Sequence, residues 1–155
     1  MTADLTALPA RTGDRPATTG LEIPHDQLEA FSPPQIRSVL IEFARSLPGV
    51  RTGPSAVSEP GSLAFRLPRA DRDFDAFLHP SVDEFGHVHR TGFMHLTIPV
   101  SSVAVLTDLG WVEPHPISKR PEFPSGIVMF YAPRDTDELT VATTVLQASY
   151  DQAAA

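Results

Sequence analysis

Proline falls about once in every ten residues of this chain, and that spacing limits its possible folds more than any other feature. A proline has no backbone N–H and holds φ near −65°, so it breaks helix interiors and is kept out of central strands. Here 16 of 155 residues are proline, roughly twice the average usage. They are spread as punctuation rather than gathered into one linker. The secondary structure must therefore be a series of short elements between them.

Ser32-Pro33-Pro34 opens the first predicted helix, with Ile36, Val39, Leu40, Phe43 and Leu47 at helical spacing and Pro48-Gly49 as its stop. Short extended segments follow at Ser62–Leu67 and Phe74–Leu78, separated by a polar turn at Arg69–Arg72. His87–Arg90 and Phe93–Pro99 flank Thr91-Gly92 and read as a hairpin. Ser101 or Ser102 is placed to cap a second helix carrying Val105, Leu106 and Leu109, which Gly110 ends. Gly126–Ala132 is apolar on both parities, as in a strand covered on both faces. Asp135 and Glu138 launch a last helix through Leu139, Ala142, Val145 and Leu146. Strands segregated from helices predict one α+β domain, a mainly antiparallel sheet packed with about three helices, over residues 23–152. Residues 1–22, rich in Thr, Ala, Pro and Arg without periodicity, read as a disordered or loosely packed arm.

The chain has no cysteine, which excludes disulfides, thiolate metal sites and cysteine nucleophiles. Its formal charge of −7 argues against nucleic acid as a partner. No apolar run approaches the roughly 20 residues that span a bilayer, and residues 1–20 have no secretory apolar core. A cytoplasmic protein acting on a small molecule is the expectation, with oligomeric state left open. Ser55 and Ser58 lack a nucleophile-elbow context, and no glycine loop suited to phosphate is present.

Histidine is where the chemistry concentrates. Four of six lie between residues 87 and 115: His87, His89, His95 and His115. His87 and His89, two apart in a strand, share a face. The turn decides whether His95 joins them. A three-residue loop at 91–93 sets His89 opposite His95, whereas a two-residue turn at Thr91-Gly92 sends His95 to the other face. The sequence leaves both open. Imidazole is the commonest metal ligand and the usual general base near neutral pH, so His87, His89 and His95, with Glu84 or Asp83 nearby, suit either a metal site or proton transfer. His25 is read as part of the lead-in segment and His79 as a turn residue. Gly110–Pro116 reads as a rigid loop straight after the second helix, in which Trp111 serves as core anchor or stacking platform. Arg134 binds an anion or pairs with Asp135 or Glu138.

Taken in order, His87-Val-His89, Met94-His95-Leu96, Gly110-Trp111 with His115-Pro116, Phe130-Tyr131-Ala132-Pro133-Arg134 and the acidic start of the last helix resemble the luciferase-like domain family. The fungal bioluminescence luciferases are its best-known members. The resemblance runs over about residues 60–152. It implies an oxygenase working without flavin or haem, with molecular oxygen as co-substrate and an enolic or phenolic, pyrone-like substrate. Under that resemblance His89 or His95 is the base, and His87, His115 and Arg134 stabilise charge. Trp111 and Tyr131 join Arg134 in binding substrate. The hairpin here is shorter and has fewer histidines than the fungal pattern, with Arg90-Thr91-Gly92 in its turn. That shifts the expectation towards dark chemistry on another metabolite. Two alternatives stand beside it: a zinc or iron enzyme with His87, His89 and His95 as ligands, and a non-catalytic small-molecule-binding domain.

Overall fold

The computed structural model describes residues 4–69 and 74–155. Helix α1, Pro34–Ser46, starts with its proline in the first turn, where the missing N–H would be unpaired anyway. Leu40, Ile41 and Ala44 form its buried stripe. Strands β1 (Arg51–Pro54), β2 (Leu63–Arg66), β3 (Glu84–Val88) and β4 (Met94–Thr97) follow. Then come helix α2 (Val100–Asp108), β5 (Val112–Pro114), β6 (Ile127–Phe130) and helix α3 (Thr136–Ala154). The strands make one six-stranded sheet in the order β1-β2-β3-β4-β6-β5, and every paired neighbour is antiparallel. The fold is α+β, as its segregated strand and helix signals imply.

One face of the sheet meets α1 and α3. Phe65, Phe85, Val88, Met94, Leu96, Val128 and Phe130 join Leu40, Ala142, Val145 and Leu146 in a single buried apolar cluster. Asp135 caps α3 by accepting from the Glu138 N–H at 2.9 Å. Glu138 reaches back one residue further than a capping box requires, accepting from the Arg134 N–H at 2.9 Å.

Three expectations need correction. Phe74–Ala76 is a 3-10 turn, not a strand; Phe74, Phe77 and Leu78 fall three and four apart, a helical-turn spacing. The turn expected just before it lies mostly outside the described residues, which resume at Phe74. Neither Ser101 nor Ser102 caps α2. The helix starts at Val100 behind Pro99, whose carbonyl takes the first bond, from the Ser102 N–H at 2.8 Å, so both serines already lie in the helix. Gly110–Pro116, read as a loop, contains β5. That strand and β1 carry too little apolar alternation to show in sequence, because each pairs on one side only.

Residues before α1 cross the molecule in extended form. The Arg11 N–H donates to the Leu109 carbonyl at 2.8 Å, and Gln27 Oε1 accepts from the Ala132 N–H at 2.9 Å. Among the described residues no helix is long and apolar enough to cross a membrane.

Candidate functional site

The β3–β4 register settles the histidine geometry, in a way neither proposed turn describes. The His89 N–H donates to the Phe93 carbonyl at 2.8 Å, and the Gly92 N–H to the His89 carbonyl at 3.0 Å. The loop is therefore Arg90-Thr91-Gly92, three residues long but one position earlier than 91–93. Gly92 has φ +102°, and a Cβ there would collide with Ser32, so only glycine fits. His87 pairs directly with His95, and His89, two residues on, shares their face. A bulge between β2 and β3 pairs Phe65 with Gly86 but Arg66 with Glu84. The irregularity turns the Glu84 carboxylate to the histidine side while Phe85 stays in the core.

That face opens on a cavity of about 530 Å³ lined by His25, His87, His89, His95 and His115, with Val57, Leu78, Ile117, Phe123 and Ile127 among its apolar wall. All five imidazoles are buried. Glu113 and His115, two apart at the end of β5, reach this side together.

Partners assign the tautomers. His87 Nδ1 donates to Glu84 Oε2 at 2.8 Å. Glu84 is itself fully buried and is held by the Ser55 hydroxyl at 2.6 Å and the Ala56 N–H at 3.1 Å. His89 Nδ1 donates to Glu59 Oε1 at 3.0 Å. His25 Nε2 donates to Glu113 Oε2 at 2.7 Å. Glu113 also accepts from the Tyr131 hydroxyl at 2.9 Å and the Thr18 hydroxyl at 3.0 Å. His115 is the reverse case: its Nδ1 accepts from the Ile117 N–H at 3.1 Å, so a neutral ring carries its hydrogen on Nε2. The Nε2 atoms of His87 and His89 both face His95 Nδ1, at 3.0 and 3.2 Å. His25 Nδ1 and His95 Nε2 are buried with no hydrogen-bond partner among the described residues.

Burial dominates the electrostatics. It holds His95 well below the ordinary imidazole range, helped by repulsion from His87, His89 and His115. His89 is lowered to about 4 by burial and by His87, against the pull of Glu59. His115 is lowered to about 3, by burial and then by His25. Burial alone would raise Glu84 and Glu113. Hydrogen bonds from His87 and Ser55 to the one, and from His25 and Tyr131 to the other, hold both below the usual carboxylate value. Near neutral pH at least His89, His95 and His115 are therefore uncharged, and His89 keeps a lone pair on Nε2.

Of the residues expected at a site, His87, His89, His95 and His115 come together, and Tyr131 donates to Glu113, the partner of His25. Trp111 and Arg134 do not line the cavity. The Trp111 indole lies parallel to Phe130, centroids 6.0 Å apart, and donates to the Pro9 carbonyl at 2.7 Å. The Arg134 guanidinium donates to Glu138 at 2.5 and 3.0 Å and to the Thr12 carbonyl at 2.8 Å. Asp83 points at Arg66, 3.5 Å away, so of these two neighbouring acids it is Glu84 that serves a histidine, His87. His79 accepts from the Ser81 N–H in its own turn at 3.1 Å, and its half-buried ring, edge-on to Phe123 at 5.6 Å, also lines the cavity. The buried member that sequence reasoning missed is His25, stacked 5.5 Å from His95 and edge-on to His115 at 4.8 Å.

A family model described as Luciferase domain matches residues 82–149, so this part of the chain, from β3 into α3, is luciferase-like. The matched span contains His87, His89, His95 and His115, and His25 lies outside it. No curated protein and no solved structure matches.

Proposed function

We propose that this chain is a luciferase-like small-molecule oxygenase that ionises an enolic or phenolic ring in the histidine cavity and joins the resulting anion to dioxygen. The observation that carries the reading is the convergence of five buried imidazoles on one largely apolar cavity. Buried ionisable groups are costly to keep without a use, and a cavity with a few convergent polar groups is where a small ligand binds.

The roles follow from the tautomers. His25 Nδ1 is a buried lone pair without a partner, on a ring whose other nitrogen is anchored to Glu113. It is the general base, in place of His89 or His95, and Glu113 stabilises the imidazolium that forms. His115 Nε2–H is a donor for the ring oxygen as negative charge develops there. The ring proton passes to His25. The electron-rich carbon of the anion then forms a C–O bond with dioxygen, so the carbon is oxidised by two electrons and the dioxygen is reduced to a peroxide. The His25 proton returns to that peroxide, and the net change is R–H plus O2 to R–OOH. The luciferase-like span supports the oxygen chemistry, and the apolar wall suits a flat ring.

Dioxygen uptake with a panel of hydroxylated pyrones, cyclic enols and phenols tests the reading. Uptake that adds the mass of one O2 and falls at least 100-fold in His25→Ala is expected. A ring that binds un-ionised by its absorption spectrum, with no uptake, would instead make the domain a binder.

A further inference from the structure

We infer that His87, His89 and His95 bind one divalent transition-metal ion, with Glu84 and Glu59 holding two of its ligands in place. This site goes beyond the oxygenase reading and does not depend on it.

Hydrogen counting leads to it. The Nδ1 hydrogens of His87 and His89 are committed to Glu84 and Glu59. In neutral rings both Nε2 atoms then present lone pairs, and both present them to the same atom, His95 Nδ1, at 3.0 and 3.2 Å. One hydrogen on His95 cannot serve two linear bonds, so at least one contact sets lone pair against lone pair. A cation between the three nitrogens removes the conflict at once.

The dimensions agree. Zinc–imidazole bonds of about 2.0–2.1 Å place tetrahedral ligands roughly 3.3 Å apart and octahedral neighbours roughly 3.0 Å apart. The 3.0 and 3.2 Å contacts to His95 fall in that range, and all three ligand atoms lie within 4.8 Å of one another. A carboxylate on the far nitrogen of a ligating histidine is the usual outer-shell arrangement, and here it occurs twice. Two carboxylates also balance a charge of two. Three imidazoles suit zinc, iron, nickel or copper rather than calcium or magnesium. Because all three rings line the cavity, the ion would keep a position open towards it, as reactive metal centres do.

A second group, His25, His95 and His115, is equally close but fails on chemistry. His115 Nδ1 accepts from the Ile117 backbone, which leaves an N–H rather than a lone pair on Nε2. The same counting that selects one triad rejects the other.

The test uses the full chain, purified without a metal-affinity tag and stripped with a chelator. Cobalt(II) titrated into it should give visible d–d absorption that saturates at one ion per chain and is displaced by zinc. Glu84→Gln keeps the shape of the outer shell and should weaken binding by about 10–100-fold. His87→Ala and His89→Ala should abolish the absorption, while His115→Gln should keep it, with folding checked by circular dichroism. A folded wild-type chain that binds no cobalt overturns the site. So does binding that survives His87→Ala and His89→Ala, or that is lost equally in His115→Gln. One bound ion without dioxygen uptake would keep the metal site and remove the oxygenase. Uptake by protein that binds no ion would do the opposite.

Discussion

The β3–β4 hairpin presents two faces built from alternate residues of the same two strands. Val88, Met94 and Leu96 point into the apolar cluster beneath α1 and α3, and each is fully buried. His87 and His95, their chain neighbours, are buried almost as deeply on the opposite face. Burying a large apolar side chain stabilises the fold by about 1.5–3 kcal/mol, so the first face explains itself. Burying an imidazole opposes folding unless its nitrogens find partners. On the second face His95 Nε2, and His25 Nδ1 packed onto it from the lead-in, find none among the described residues. One face holds the molecule together, and the other draws on that stability to keep bases dry.

Leu96→Ala should sharpen this contrast most, lowering unfolding free energy by about 2–5 kcal/mol in a denaturant titration. Acid should act on the opposite face next. For His89 and His115, ordinarily near 6.5 and lowered here to about 4 and about 3, the folded state binds fewer protons than the unfolded chain at mildly acidic pH. Stability therefore rises with pH across that window and is lost as pH falls below about 6.5. By pH 5 each ring costs about 2 kcal/mol. Unfolding of metal-free protein followed from pH 7.5 to 4.5 should show this before Glu84 and Glu113, held below the usual 4.5, begin to protonate. An acid-insensitive midpoint down to pH 5 would mean the rings are solvated.

Trp111→Phe should cost about 1 kcal/mol through the lost bond to the Pro9 carbonyl, with dioxygen uptake unchanged. A large loss of uptake would bring the indole back into the site. His95→Leu should have the smallest effect on metal-free stability, within about 1 kcal/mol or slightly stabilising, because an apolar side chain of similar size replaces one with an orphaned nitrogen. If it costs as much as Leu96→Ala, the two faces are alike and the histidines are structural.

How far the residues foretold this arrangement depends on the range of the forces involved. The α3 cap at Asp135 and the apolar run of β6 act within a few residues and are plain in the chain. The parity of Glu113 and His115 was equally available, since an E-x-H pair at a strand end shares a face. The hairpin loop was not, because which residues close it depends on Gly92 fitting against Ser32, a contact from another segment. Arg134 was evenly open between an anion and Glu138, and the nearer carboxylate one helical turn on took it. His25 could not be placed at all. It reaches the cavity only because the extended lead-in runs past β5, where Glu113 receives it.

The outer strands carry a consequence of their own. The Ser55 N–H turns inward to the Ser62 carbonyl and the His115 N–H inward to the Ile127 carbonyl. Pro54 and Pro114, one residue before each, therefore face away from the sheet on its two outer strands. An exposed edge ordinarily offers a row of donors to any passing strand. Here that row is interrupted on both sides by a residue with no hydrogen to give. The prolines that keep the elements short thus also leave a gap in the row of donors on each outer strand.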